Sequence, residues 1–234
     1  MKAWFQKLID IASVAQTDAL LKQALPELVQ ELGFNRYAYL NIQPARTFAV
    51  SNYPDEWQSR YLSRNYTNID PVVSTARRLM TAFTWAPGNA RQGVSKQVRA
   101  FYAEAGDFGI RSGISIPIRT AFSHMSMLTL ASERPSLSLE KDIDQIAATT
   151  AVALLHATIE HREVEPTARA TIELTAKQSL CLAWSAEGKT MRDIASIEDM
   201  SYATVNFHLN NARRALNASS LAQATALATK LKLI

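Results

Sequence analysis

Asn206, Asn210 and Arg214 recur at four-residue spacing, and they are residue types that read nucleic acid. An asparagine amide pairs in bidentate fashion with an adenine edge, and an arginine guanidinium grips guanine or a phosphate. Beside them Val205, Leu209, Ala212 and Leu216 fall at i, i+4, i+7 and i+11, the narrow apolar stripe of a helix that packs on one side. At about 100° per residue the two asparagines and Arg214 point largely away from that stripe, with Arg213 at its edge. That outward face is what a major groove would see. From spacing alone, a helical bundle for protein contact, with a merely solvated polar face, is the competing reading.

Such a helix needs short partners, and the flanking residues supply them. Leu174-Thr175 opens a helix running through Leu180, Leu182 and Trp184 to Gly188. Residues 191–197 form a short helix with Ile194 and Ala195 inward, and Glu198-Asp199-Met200 is a turn between steeply crossing helices. Ser201 is an N-cap for the helix that follows. A closing helix with Leu221, Ala224, Leu227, Ala228 and Leu231 covers the small core. Residues 174–234 thus read as an all-α four-helix helix-turn-helix domain. They hold seven Lys/Arg against four Asp/Glu, whereas residues 1–173 hold 18 against 17, so the net charge of +4 is concentrated where phosphates would be met.

The remainder reads as a second domain. Apolar residues at helical spacing from Trp4 to Leu32, stopped by Gly33, predict two amphipathic helices. Residues 37–42 and 48–51 predict strands with Pro44 in the turn between them, and Pro54 starts a helix carrying Trp57, Tyr61 and Leu62. After a loop through Asp70-Pro71 and a glycine-bearing stretch with Gly88 and Gly93, residues 98–108 predict a helix ending at Gly109. Residues 113–118 and 125–131 predict an antiparallel pair, and 137–162 a long helix, including Leu139, Ile143 and Ile146, with more apolar surface than one sheet covers. The polar stretch 164–173 is the linker. The expected fold class is α+β: an N-terminal α/β/α sandwich with a mainly antiparallel sheet over 1–163, then the helical domain.

Several function classes are excluded. Cys181 has no disulfide partner, Lys2, Lys7, Asp10 and Asp18 interrupt the N-terminal apolar residues, and no window approaches the roughly 18 apolar residues of a membrane span. A cytoplasmic protein with no membrane span is expected. His124, His156, His161 and His208 are scattered, and neither G-x-S-x-G nor metal-ligand spacing occurs, so no catalytic residue, metal or cofactor is expected.

Leu174-Thr175, Gly188-Lys189-Thr190, Ile194-Ala195, Ser201, Thr204-Val205, His208-Leu209 and Asn211 resemble the signature of LuxR-type helix-turn-helix regulators. Gln178 stands where the family usually has Glu, and Glu198-Asp199 replaces the common Leu-Gly of the turn. Further back, NYPDEWQSRY, Asp70-Pro71-Val72-Val73, Phe83-Thr84-Trp85, FYAEAGDFGIRSGISIPI and MSMLTLAS resemble the autoinducer-binding domain of the quorum-sensing branch, in particular regulators of plasmid conjugal transfer in rhizobia and agrobacteria.

The resemblance implies a ligand, N-acyl-homoserine lactone, with a 3-oxo-octanoyl chain. Trp57 would donate to the lactone carbonyl, Asp70 accept from the amide N–H, Tyr53 donate to the acyl carbonyl, and Thr129 reach the 3-oxo group. Tyr61, Val72, Val73, Trp85, Phe101, Tyr102, Ile110 and Met127 would wall the acyl chain. Read without the resemblance, these aromatics are plain core and Asp70 is a turn residue. The DNA face would comprise Lys189, Thr190, Tyr202, Thr204, Asn206, Asn210, Arg213 and Arg214. Implied partners are a palindromic double-stranded DNA operator, a second copy in a homodimer, RNA polymerase and an antiactivator protein. An inactive homologue that blocks a related activator by heterodimerisation is the alternative.

Overall fold

Thr17 separates two helices at the start of the chain. α1 (Lys2–Val14) and α2 (Asp18–Glu31) form where the apolar spacing placed them; the Thr17 side chain accepts from Leu20 N–H, and Gly33 ends α2 at φ +80°, a left-handed backbone that suits glycine. The computed structural model describes every residue except 1, 16, 44–45, 88–94, 121–123, 137–143, 172 and 217. Pro44, Gly88, Gly93, Leu139 and Ile143 lie outside the described residues.

Six strands make one sheet: β1 (Arg36–Gln43), β2 (Arg46–Ser51), β3 (Phe83–Trp85), β4 (Ser112–Arg119), β5 (Met125–Ser132) and β6 (Ala168–Thr171), in the order β3-β4-β5-β1-β2-β6. β3 with β4, β4 with β5 and β5 with β1 pair antiparallel. Side chains alternate between two cores. Tyr37, Tyr39, Ile114, Ile116, Leu128 and Leu130 join Leu8, Leu21, Leu25, Val152 and Leu155, from α1, α2 and α6 (Gln145–His161). Leu40, Ile42, Met125 and Met127 join Trp57, Val72, Val73 and Phe101 on α3 (Asp55–Ser63), α4 (Pro71–Leu79) and α5 (Lys96–Asp107). Helices on both faces bury β4 and β5 almost throughout, which is the expected α/β/α sandwich.

Several details differ from expectation: the loop expected at Asp70-Pro71 opens α4, capped by Asp70, and the short strand β3 follows it. α6 begins at Gln145, where Asp144 caps it by accepting from Ala147 N–H at 2.9 Å; the apolar period carried the reading across that cap, and 137–143 are not described. The stretch read as linker contributes β6, anchored just before it by Thr167 N–H donating to the Ala49 carbonyl at 2.8 Å. A four-residue edge strand of small and polar residues has no apolar alternation to betray it.

The helical unit, whose main segment runs from Ala170 to Ile234, holds α7 (Ala176–Ala186), α8 (Met191–Ile197), α9 (Tyr202–Ala215) and α10 (Leu221–Lys230). Cys181, Leu182, Ile194, Val205, Leu209, Ala212, Leu216, Ala224 and Ala228 are its core. All three departures from the family signature are accommodated. Gln178 completes a capping box with Thr175, and Glu198 Oε1 accepts from Trp184 Nε1 at 2.6 Å, tying α7 to the turn. Asp199 adopts φ +48°, a backbone that aspartate tolerates. Among the described residues, no helix is long and apolar enough to cross a membrane.

Candidate ligand pocket and nucleic-acid interface

A cavity opens between the sheet and the helices α3, α4 and α5. It encloses about 690 Å³ of empty space, part of it open to solvent. β1, β2 and β5 supply its floor through Leu40, Ala49, Met127 and Thr129; Tyr53, Trp57 and Tyr61 come from α3 and the turn before it. Asp70 and Val72 start α4, while Trp85, Phe101, Tyr102 and Ile110 complete the wall. Of the twelve residues expected at the ligand, only Val73 is absent from the lining. Val72 and Val73 are consecutive on α4, so their side chains lie about 100° apart, and Val73 is buried in the core behind the wall.

Asp70 is the one carboxylate in this wall, and its position follows from the Asp-Pro step. Pro71 sits at the first turn of α4, where its missing N–H is no loss, and Asp70 caps that helix: its Oδ1 accepts from Val72 N–H at 2.7 Å. Its Oδ2 accepts from the Tyr61 hydroxyl at 2.8 Å. Tyr61, expected as apolar wall, therefore also orients the carboxylate. Burial pushes the Asp70 carboxyl up to about 6, against the lowering effect of the Tyr61 and Val72 hydrogen bonds. At neutral pH it is an ionised acceptor with lone pairs to spare for an N–H donor. Burial first, and then the Asp70 charge, raise the Tyr53 and Tyr61 hydroxyls well above the ordinary range and Tyr102 to about 12, so all three remain donors.

Trp57, 2% exposed, sits in an aromatic cage with Tyr61, Tyr66 and Phe101 each at 5.9 Å and Phe108 at 5.4 Å between ring centroids. Trp85 does more than pack. Its Nε1 donates to Ser115 Oγ at 3.0 Å, and Ser115 Oγ shares a 2.8 Å hydrogen bond with Thr129 Oγ1. This chain of donors fixes Thr129 at the cavity wall. Trp85 lies against Gly113, where an added Cβ would overlap its ring and the Leu130 carbonyl. Ala38, Leu40, Ala49, Ser51, Gln58, Leu62, Ala105 and Ala168 also line the cavity and were missed. For the strand residues, the inward register was the available signal: Ala38 lies opposite Thr129 and Leu40 opposite Met127.

On the helical unit the expected face is present in part. Lys189, Tyr202 and Arg214 are exposed. Thr190 caps α8 and its hydroxyl donates to Asp193 at 2.7 Å; Thr204 shares a hydrogen bond with Ser201 at 2.8 Å. Asn210 Nδ2 donates to Asn206 Oδ1 at 2.7 Å, so the two amides stand as one linked pair. Arg213 is committed elsewhere, with Nη1 donating to the Ala218 carbonyl at 3.1 Å. Phe207, 61% exposed on the outward side of α9, was not singled out by polar-residue reasoning. The arrangement leaves Asn206, Asn210, Phe207 and Arg214 on one side of a rigidly capped helix, and such a face suits a major groove.

Comparison with known proteins agrees with both halves. Residues 17–160 match the autoinducer binding domain family, and residues 173–228 match the family of bacterial regulatory proteins of LuxR type. The chain is 44% identical to the transcriptional activator protein TraR of Agrobacterium vitis over 234 residues, covering all of both chains, and 42% identical to TraR of Rhizobium radiobacter with the same coverage. In fold it is similar to Escherichia coli SdiA, at a TM-score of 0.56 and 22% identity over 99% of this chain and 98% of that one. A sandwich with a buried carboxylate in an apolar cavity, a capped helix-turn-helix and full-length likeness to known activators converge: the chain belongs to the LuxR family of bacterial regulatory proteins, as a quorum-sensing transcriptional activator of the TraR/LuxR type and not an enzyme.

Proposed function

We propose that this activator binds an N-(3-oxo-acyl)-homoserine lactone, with a 3-oxo-octanoyl chain as the first ligand to try, and that binding favours a homodimer whose paired recognition helices fit a palindromic operator. The observation that carries this reading is the buried, ionised Asp70 held by Tyr61 at the wall of an otherwise apolar cavity. A neutral amide N–H satisfies that carboxylate, and a fatty chain fills the rest. Trp57, which can only donate, suits the lactone carbonyl; Tyr53 donates to the acyl carbonyl, and Thr129, fixed through Ser115 and Trp85, serves the 3-oxo group.

A ligand that fills this cavity becomes core, so it stabilises the folded state by mass action. The dimer would use 145–161, where Ile146 is 81% exposed, and the last helix. In this reading the protein works in the cytoplasm, contacts RNA polymerase, answers to an antiactivator protein and controls conjugal-transfer genes of a plasmid, as the resemblance of its sequence motifs implies. A blocking homologue without useful DNA binding is less well supported, because Gln178 and Glu198, the departures that raised it, are built into caps and ties.

The test is operator binding by the full chain, measured by gel shift with and without 3-oxo-octanoyl-homoserine lactone. Lactone-dependent binding is expected. Equal binding in both conditions refutes the sensing role, and no binding in either, by a folded protein, favours the blocking homologue.

A further inference from the structure

Two polar atoms in the cavity wall have no partner. Ser51 Oγ, at the end of β2, and Gln58 Oε1, on α3, make no hydrogen bond, although each residue is only 8% exposed and both line the cavity. Buried polar atoms left unpaired are rare, and each calls for a missing partner. Neither group is loosely placed. Gln58 Nε2 donates to the Tyr53 carbonyl at 2.7 Å, and Tyr53 follows Ser51 by two residues, so this bond holds the amide near the strand end that carries Ser51. The Ser51 backbone N–H is already taken by Thr167 Oγ1 at 3.1 Å. Asp70 and Thr129, by contrast, already have protein partners in the wall, Asp70 in Tyr61 and Val72 and Thr129 in Ser115.

We propose that Ser51 and Gln58 form a second polar subsite, apart from the Trp57 and Asp70 head-group site, which reads an oxygen substituent on the acyl chain and is completed best by a hydroxyl. The inference rests on the acyl-homoserine lactone reading above. Gln58 Oε1 only accepts, whereas Ser51 Oγ donates and accepts. A ketone accepts from Ser51 but offers Gln58 nothing, so a water must stand between them. A hydroxyl accepts from Ser51 and donates to Gln58. A plain methylene leaves both atoms buried and unpaired. Chains drawn from fatty-acid assembly carry such an oxygen on the third carbon, as a ketone before reduction and a hydroxyl after it.

The experiment is calorimetric titration of the full chain with octanoyl-, 3-oxo-octanoyl- and 3-hydroxyoctanoyl-homoserine lactone, on wild type, Ser51→Ala and Gln58→Met. Wild type is expected to bind the 3-hydroxy form tightest and the unsubstituted form weaker by about tenfold. Ser51→Ala removes an oxygen that no protein group bonds, so the fold is untouched and this variant is decisive. It should erase the preference for the 3-hydroxy over the 3-oxo lactone, since Thr129 still serves the ketone, and should bind the unsubstituted lactone no worse than wild type does. Gln58→Met should do the same, with some general loss from the Tyr53 hydrogen bond. Equal losses for all three lactones in Ser51→Ala, or a wild type that binds the lactones without discriminating among them, overturn the subsite alone. A wild type that binds none of them overturns the subsite together with the lactone reading.

Discussion

Replacing Asp70 by Asn separates two consequences of one buried carboxylate. Burial moves its carboxyl from the 3.8 of an exposed group to about 6. Between those pH values the folded chain holds a proton that the unfolded chain has released. The free energy of unfolding therefore falls as pH rises through that window and levels off above about pH 7. At about 1.4 kcal/mol per pH unit of displacement, the loss is roughly 3 kcal/mol. Asp70→Asn has nothing to titrate there, so wild-type stability minus variant stability should carry that slope while contributions from other carboxyls cancel. At neutral pH the ligand-free variant should be at least as stable as wild type, and up to about 2 kcal/mol more so, because its amide oxygen can still accept one of the two hydrogen bonds. Lactone affinity should fall by about 1.5–3 kcal/mol, roughly ten- to 150-fold, since a charged acceptor is lost. Urea denaturation from about pH 4 to about pH 8 and calorimetric titration with the lactone measure the two effects. An unchanged pH slope, or a variant destabilised at neutral pH that still binds lactone like wild type, refutes the reasoning.

Gly113→Ala drives a methyl into the Trp85 ring and the Leu130 carbonyl; thermal denaturation should show a loss of about 1–3 kcal/mol, and lactone titration a weakened site. Arg214→Ala should weaken operator binding and reduce its salt slope by about 1 without altering the melting temperature. Arg213→Ala, by contrast, should also lose about 1 kcal/mol of stability, because its guanidinium holds the Ala218 carbonyl. Glu198→Ala frees Trp184 Nε1 and should destabilise the helical unit by about 1–3 kcal/mol, with lactone affinity unchanged in the same titration.

Helical periods and caps were legible in the residues themselves. Val205, Leu209, Ala212 and Leu216 form a buried stripe because a 3.6-residue repeat leaves them nowhere else to face. Strand alternation likewise placed Tyr37, Tyr39, Leu128 and Leu130 on one face of the sheet. The pocket was not legible from residue types. Trp57 and Phe101 look like ordinary core, and Asp70 before Pro71 looks like a turn; family likeness alone marked them. Partnerships formed across the fold escaped both kinds of reading. Nothing local says that Tyr61 donates to Asp70, that Trp85 holds Ser115, or that Arg213 turns back to Ala218, since those pairings depend on where distant or turn-separated atoms end up. β6 escaped for another reason, its lack of any apolar pattern.

The central claim is that the cavity around Trp57 and Asp70 holds an acyl-homoserine lactone. Its most direct test is mass spectrometry of what remains bound to the full chain after purification from cells supplied with a mixture of acyl-homoserine lactones. One lactone per folded chain is expected, recovered on denaturation, enriched in chains oxygenated at the third carbon and strongly depleted from Asp70→Asn. Folded protein that carries no lactone, or an Asp70→Asn variant that carries as much as wild type, contradicts it.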